Sequence, residues 1–266
     1  MASTTANSSY GKYAASDYNN RTAQRSIYET EHRLFATLSS THYFFGADKP
    51  TTFNLFFERK SGLPGTYSWD TYTGGNYGGT AYQREAFGYE KNLNDDSSHL
   101  IYVPTGLTDP NVCWGSCSGA PDLAIANQVL EMLHNTLGLK SYAGQIVPNG
   151  VYEYPWQTTL DLKITQILPG FRADDEFVIS LGIENLLNLI DSDKGVIEYG
   201  PYNGKMAVLD MYMNEDFSKY IYPNYKGRGY PDWAYGFNQS NPKGIRKSAV
   251  NSIWRAQLGF TYKFSF

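Results

Sequence analysis

The carboxy-terminal stretch, residues 252–266, alternates between apolar and polar side chains over most of its length. One face is apolar or aromatic and consists of Trp254, Ala256, Leu258, Phe260, Tyr262, Phe264 and Phe266. The opposite face is polar or small and consists of Arg255, Gln257, Gly259, Thr261, Lys263 and Ser265. Successive side chains of a strand point to opposite faces, so the pattern predicts one long β-strand. Its length suits the roughly 9–11 residues of a membrane-crossing barrel strand better than the about 5–6 residues of a soluble strand.

Four further stretches predict strands of the same kind, and short turns join them in pairs. These strands are 33–45, 52–60, 156–168 and 177–187. The turns at 46–50 and 169–175 are rich in Gly, Pro and Asp, so each pair is expected to form an antiparallel hairpin.

The second hairpin separates its apolar from its charged side chains most clearly. Its apolar face carries Leu160, Leu162, Ile164, Phe177, Ile179 and Leu181. Asp161, Lys163 and Glu184 lie on the other face. Apolar side chains suit outer-membrane lipid and charged ones suit a water-filled lumen. The fold predicted is therefore all-β: a segment of about five long strands from an antiparallel transmembrane β-barrel.

Long segments alternate with the short turns along the chain. Residues 1–30 are predicted to be a polar outer loop, and residues 31–266 to be the barrel portion. Within that portion, 61–150 and 188–251 are expected to be outer loops, because bacterial barrels keep short turns on the periplasmic side. Apolar residues at helical spacing predict a short helix within 123–140.

Composition narrows the choice of partner and compartment. The net charge is −4 and no basic cluster occurs, which argues against a nucleic-acid partner. The 23 tyrosines and 25 glycines are typical of aromatic girdles and turn-rich loops. Residues 1–15 lack the basic start and apolar core of a signal peptide. If the barrel prediction holds, the chain is therefore expected to be the carboxy-terminal part of a longer exported protein.

The last strand resembles the targeting signal of bacterial outer-membrane β-barrels. The positions that carry the resemblance are Gln257, Gly259, Tyr262, Phe264 and Phe266. The resemblance implies recognition by the outer-membrane assembly machinery. The alternative from the residues alone is the last strand of a soluble β-domain.

Five motifs, in order along the chain, resemble the last part of Oar-like TonB-dependent outer-membrane receptors. They are EHRLFATLSS, LIYVP, YPWQTTLDLKITQILPGF, ISLGIENLLNLIDSDKG and NSIWRAQLGFTYKF. The resemblance covers roughly residues 30–266 and implies a 22-strand barrel in the outer membrane of a Gram-negative bacterium. It also implies an amino-terminal plug that engages the TonB system. The plug and the remaining strands are not in this chain, so upstream polypeptide or other chains would supply them.

Aromatic residues in the predicted outer loops are candidates for ligand binding, because exposed rings can stack on sugars or cover apolar groups. The candidates are Tyr67, Trp69, Tyr72, Trp114, Tyr225, Tyr230, Trp233 and Tyr235. The alternative is that these rings pack the loops into a lid. The leading hypothesis is substrate binding and uptake through loops and lumen. Its alternatives are a surface adhesion or interaction protein anchored by a barrel, and a soluble β-rich carbohydrate-binding domain.

The cysteines, aspartates and histidines give little support for an enzymatic site. Cys113 and Cys117 are expected to form a disulfide in an oxidising compartment. Asp191 and Asp193 form a weak candidate calcium site, against the alternative of a solvated turn. The four histidines are scattered and no catalytic set is found, so neither an enzyme nor a resident cofactor is predicted.

Overall fold

The computed structural model describes residues 23–70, 99–172, 174–201, 204–214, 216, 218–222 and 241–264. At 69, 70, 99, 207, 210 and 212 the description is of the backbone alone. Over this range the chain is mostly β-strand with a few short helices, as the sequence predicts.

The strands are, in chain order, β1 Arg33–His42, β2 Thr51–Lys60, β3 Pro64–Asp70, β4 His99–Leu100, β5 Tyr102–Val103, β6 Val112–Trp114, β7 Gln145–Ile146, β8 Tyr152–Glu153, β9 Gln157–Pro169, β10 Glu176–Glu184, β11 Glu198–Tyr199, β12 Lys205–Asp210, β13 Tyr212–Met213, β14 Tyr220–Tyr222, β15 Arg246–Lys247 and β16 Arg255–Lys263. The α-helices are α1 Leu123–Leu130, α2 Leu186–Ile190 and α3 Ala249–Ser252. A π-helical turn spans Glu131–Thr136 and a 3₁₀ turn spans Lys140–Tyr142. Among the described helices, none is long and apolar enough to cross a membrane.

The chain divides into two compact units, each built from separate segments. The first, called the sheet unit, consists of Thr30–Gly62, Pro155–Tyr199 and Arg246–Phe266. The second, called the core unit, consists of Met1–Glu29, Leu63–Tyr154 and Gly200–Ile245. Most of the two long segments predicted as outer loops therefore belongs to a unit with a hydrophobic core of its own.

All five predicted long strands are present and lie in one antiparallel sheet. Its order is β1-β2-β9-β10-β16, so the two predicted hairpins are side by side and β16 follows them. One row across the sheet runs Leu38, Leu55, Leu162, Ile183 and Ala256. In the described residues this sheet is open, with β1 and β16 at its edges.

The register puts most of the apolar residues of the five strands on one face of the sheet, while Phe35, Phe56, Ile167 and Val178 lie on the other face. The row next to the one above runs Ser39, Asn54, Lys163, Gly182 and Gln257, and it lies on the opposite face. This arrangement follows from the two-residue period of a strand, because a shift of one residue would exchange the faces.

The core unit buries a cluster of apolar and aromatic side chains that comes from distant parts of the chain. Ile101, Leu133 and Val208 are completely buried in it, together with the rings of Trp114 and Tyr222. Short strands bring these segments together, with β12 parallel to β3 and β14 parallel to β6.

The predicted helix in the core unit is present but changes type midway. Asp122 caps α1, because its carboxylate accepts hydrogen bonds from the backbone N–H groups of Ala124 and Ile125 at 3.0 and 3.1 Å. After Leu130 the chain continues as the π-helical turn, and the N–H of Leu137 bonds the carbonyl of Met132 at 2.9 Å. The wider turn leaves Met132 and Leu133 in the core.

Part of the predicted amino-terminal loop is attached to the core unit. Arg25 lies 2.7 Å from the Glu29 carboxylate and 2.8 Å from that of Glu153. Gly150 packs closely against the Arg25 side chain. The segment 25–29 is therefore ordered by charge pairing, which the polar composition of residues 1–30 did not reveal.

Candidate functional site

The polar face of the five-stranded sheet carries hydroxyl and amide groups at its centre and ion pairs near its ends. Thr52, Thr165 and Ser180 form one central row. Arg33 pairs with Glu58 near one end of the strands. Near the other end, Lys263 lies 3.3 Å from Glu176. A surface of this kind can hold water and hydrogen-bonding ligands.

The apolar face of the sheet is left largely exposed. On the two edge strands the exposed fractions are 64% for Leu38, 59% for Leu258 and 62% for Phe260. The central strands contribute half-buried side chains such as Leu162 and Ile179. The sheet therefore presents one continuous apolar surface that spans all five strands.

Aromatic side chains mark the end of the sheet at which β2 ends and β9 and β16 begin. Trp156 directly precedes β9 and is half-exposed, with the Arg59 guanidinium 5.3 Å from its ring centroid. The His32 ring stacks on Trp156 at a centroid distance of 6.0 Å. Trp254 directly precedes β16 and is exposed. Rings with a nearby cation suit a boundary between apolar and aqueous surroundings.

A second aromatic group surrounds the turn between β9 and β10. The Phe171 ring is 94% exposed and lies 5.6 Å from the Tyr262 ring. The Tyr262 hydroxyl accepts a hydrogen bond from the Phe171 N–H at 3.1 Å and donates one to the Asp175 carboxylate. Phe177 and Phe264 lie beside Tyr262, with ring centroids 6.2 and 5.9 Å away.

The residues of the predicted assembly signal lie on both faces of β16 and just beyond it. Gln257 and Gly259 are on the polar face, whereas Tyr262 is on the apolar face. Phe264 follows the strand, and Phe266 lies outside the described residues. A Cβ at Gly259 would lie 2.6 Å from Ser180 Oγ, so a larger residue there would displace the neighbouring side chain.

Two of the predicted ligand-binding aromatics are buried, which corrects the expectation that they lie at the surface. Tyr67 and Trp114 are each 2% exposed. Tyr67 packs against Tyr152 with ring centroids 4.4 Å apart. Trp114 stacks on Tyr222 at 5.5 Å and donates its Nε1 hydrogen bond to the carbonyl of Leu107 at 3.0 Å. Both lie in short strands of the core unit, where large rings fill the interior.

The remaining ligand-binding candidates fall where side chains are not described. Trp69 is described only by its backbone, at the end of β3. Tyr72, Tyr225, Tyr230, Trp233 and Tyr235 lie outside the described residues.

Tyr67 forms a cluster in the interior of the core unit with Tyr152 and Tyr154, two residues that were not among the predicted sites. The hydroxyl groups of Tyr152 and Tyr154 are 3.1 Å apart. Burial raises the pKa of Tyr67 to about 12 and that of Tyr154 to about 12, and it raises the pKa of Tyr152 further. The cluster is therefore uncharged at neutral pH. The sequence around a single tyrosine does not indicate whether its side chain is buried.

The Asp109 carboxylate, buried in the core unit, accepts hydrogen bonds from the turn that contains it. Asp109 accepts hydrogen bonds from the N–H groups of Thr105 at 2.7 Å and Asn111 at 2.9 Å. The Tyr102 hydroxyl also donates to it at 3.1 Å. Burial pushes the pKa of Asp109 up, but these hydrogen bonds together outweigh burial and leave it below its usual value. These hydrogen bonds stabilise the turn, so Asp109 has a structural role.

The predicted disulfide and calcium positions are both described. Cys113 and Cys117 are bonded to each other, with their Cα atoms 5.0 Å apart. The Asp191 carboxylate accepts a hydrogen bond from the Asp193 N–H at 3.0 Å and lies 3.5 Å from Lys194 Nζ. Among the described residues, no group of three or more His, Cys, Asp or Glu side chains could hold a metal ion.

Comparison of the chain with protein-family models, with curated proteins and with solved structures found no match. The resemblance to Oar-like receptors therefore stays a prediction. The case for a function depends on the two faces of the sheet, its aromatic ends and its open edges.

Proposed function

We propose that the chain is part of the β-barrel of an outer-membrane receptor that binds and takes up a substrate. In this proposal the sheet unit crosses the lipid bilayer, and the core unit is formed by the outer loops. The observation that carries it is the exposed apolar face of five adjacent strands, opposite a face of hydroxyl, amide and charged groups.

The apolar face is costly in water and favourable in lipid. Burying one large aliphatic or aromatic side chain is worth about 1.5–3 kcal/mol. Soluble proteins rarely leave a contiguous apolar surface of several strands exposed. Lipid chains would cover Leu38, Leu258 and Phe260 without any further protein layer.

Strand lengths and end residues support the same proposal. β9 has 13 residues and β16 has 9, which is near or above the roughly 9–11 needed for a tilted strand to cross a bilayer. Trp156 and Trp254 lie at one end of the apolar face, and Tyr262 and Phe264 lie at the other. Aromatic residues concentrate at both membrane–water interfaces of such barrels.

The open edges support the proposal that other strands complete the barrel. Each unpaired backbone N–H or C=O in hydrocarbon costs several kcal/mol, so a sheet that crosses lipid must close. The outer sides of β1 and β16 pair with no strand in the part of the chain that the structure describes. We infer that the rest of the barrel, with a plug that engages the TonB system, comes from the same polypeptide or from other chains.

A second candidate is a surface interaction protein that uses the barrel only as an anchor. The burial of Tyr67 and Trp114 favours it, because two of the predicted ligand contacts serve the core instead. The two candidates share the membrane-crossing sheet and differ in whether a substrate passes through the lumen.

Spin labels on adjacent residues of β9 test the membrane-crossing sheet. Single cysteines would replace Leu162 on the apolar face and Lys163 on the polar face, while Cys113 and Cys117 stay bonded to each other. In phospholipid bilayers the label at 162 should collide mainly with dissolved oxygen, and the label at 163 mainly with a water-soluble relaxation agent. The same pair on β10, Ile183 and Gly182, should repeat the alternation. Equal access of both reagents at both positions would contradict the proposal.

A further inference from the structure

Asn185 has an unusual backbone conformation at the point where β10 ends. Its φ and ψ are both 54°, and it is the one non-glycine residue with positive φ among those described. Asparagine tolerates this left-handed conformation better than most residues, but a residue with a Cβ adopts it only where its surroundings fix it. Asn185 is also buried.

The hydrogen bonds of Asn185 join three segments of the sheet unit. Its backbone N–H donates to Asp161 of β9 at 2.8 Å. Its side-chain Nδ2 donates to the carbonyl of Gly195 at 2.9 Å and to the carbonyl of Ser252 at 2.7 Å. One residue thus connects β9, the loop after β10 and the last residue before the turn into β16.

The oxygen of the Asn185 side-chain amide is also buried, and it faces Gly195. This Oδ1 atom has no hydrogen-bond partner among the described residues. A Cβ at Gly195 would lie only 2.1 Å from that oxygen, so the glycine backbone fills the space in front of it. The Gly195 backbone therefore packs directly against Asn185 Oδ1.

Further hydrogen bonds continue the connection beyond Asn185. The Ile197 N–H donates to Ser252 Oγ at 2.9 Å, and the Ser248 N–H donates to the carbonyl of Ile197 at 2.8 Å. β11 then pairs with β15 in antiparallel fashion. Residues 185–199 and 246–252 are therefore bonded to each other through Asn185 and through residues 197–199. This pair of segments is called the stem.

We propose that Asn185 is the positioning residue of the stem: it holds 185–199 against 246–252 at the point where both segments leave the paired ends of β10 and β16. The segment 200–245 leaves and rejoins the sheet unit through this fixed base. Its sequence can therefore vary without a change in the sheet. If the proposed function holds, the stem is the base of an outer loop. Only this last step rests on the proposed function.

Hydrogen exchange of the stem amides tests the proposal, with Asn188 as the matched control. The Asn188 side chain also donates to two carbonyls, those of Ser192 and Lys194 at 3.0 and 3.1 Å, but none of its recorded bonds reaches the 246–252 segment. Asn185→Ala should lower the protection of the Ile197 and Ser248 amides by about tenfold, because it loses the buried hydrogen bond to Ser252 between the segments and the one to Gly195 within the first segment. Asn188→Ala should leave both amides unchanged.

A glycine variant separates the side chain from the backbone conformation. Asn185→Gly still adopts positive φ but lacks the amide, so it should also lose protection at Ile197 and Ser248. Full protection in Asn185→Gly, or equal losses in Asn185→Ala and Asn188→Ala, would overturn the proposal.

If Asn185→Ala lowers protection throughout β9 as well, Asn185→Gly decides, because glycine adopts the positive φ of this position without strain. Loss of protection at the stem amides but not in β9 in Asn185→Gly supports the proposal, and unchanged stem amides refute it. Spin-label access to lipid can fail while the stem amides behave as expected, so failure of the proposed function is distinguishable from failure of this inference.

Discussion

At the scale of single residues, the core unit holds phenol groups where a negative charge cannot be hydrated. Tyr67, Tyr152 and Tyr154 pack on one another, and burial is the largest cause of their raised pKa values. A tyrosine whose pKa is higher in the folded than in the unfolded state holds its proton more tightly when folded. The stability that this confers is fully present below about pH 10 and is lost as pH rises through the folded-state pKa.

The core unit is therefore expected to unfold in mild alkali. Between pH 10 and pH 12, Tyr67 and Tyr154 should each lower the free energy of unfolding by up to about 1.4 kcal/mol per pH unit. Denaturant titrations across this range measure the slope. Tyr67→Phe removes one of the titrating groups and should flatten the slope. A free energy of unfolding that stays constant to pH 12 would show that the three hydroxyls ionise without opening the core.

The chemical type of a residue did not decide its place in the molecule. Tyr67 and Trp114 are in glycine- and serine-rich surroundings, which favoured an exposed loop, yet both are buried. The same rings are favourable on a ligand-binding surface or in an interior, because both environments favour a large apolar area with one polar atom. Burial depends on partners such as Tyr152 and Tyr222 that are distant in sequence.

At the scale of elements, the long strands were predictable and the short ones were not. The five strands of the sheet unit are 9 to 13 residues long, so alternation repeats several times and sets both faces. β5 has only two residues, and alternation carries no information over that length. The change from α-helix to π-helical turn at Glu131 was likewise not visible in the apolar spacing.

Two neighbouring substitutions in β9 should differ sharply if the sheet lies in lipid. Ile164 pairs with Phe53 and Leu181 on the apolar face, whereas the next residue, Thr165, is on the polar face. Ile164→Arg should cost about 2–4 kcal/mol in a bilayer, and Thr165→Arg about 1 kcal/mol or less.

Free energies of unfolding measured in lipid vesicles check this difference, since both positions lie at nearly the same depth. Equal losses of the free energy of unfolding in Ile164→Arg and Thr165→Arg would contradict the assignment of one face to lipid and the other to the lumen.

At the scale of the whole molecule, the open sheet makes its edges the weakest part of the sheet unit. β9 has β2 on one side and β10 on the other, so its backbone is bonded on both sides. β1 and β16 are each bonded on one side only within the described residues. The sequence predicted a segment of about five strands from a larger barrel, and such a segment has two edges. It did not predict that segments 63–154 and 200–245 share a core, because no local pattern records pairing between distant strands.

Amide exchange in the isolated chain should reveal these edges. Alternate amides of β1 and β16 are expected to exchange much faster than those of β9, because their outward N–H groups have no strand to bond. Mass spectrometry of peptides from the three strands, or nuclear magnetic resonance, would measure the difference. Protection of β1 and β16 equal to that of β9 would mean that both edges are already paired.

The two units also differ in when each can form as the chain folds. The hairpins β1–β2 and β9–β10 join strands that follow one another directly, so closing them needs only short loops. In the core unit the Tyr222 hydroxyl donates to the carbonyl of Tyr102, a residue 120 positions earlier. Contacts between such distant positions form slowly, because the cost of closing a large loop comes before the gain. A polypeptide that stops before β12 could therefore form both hairpins but not the complete core.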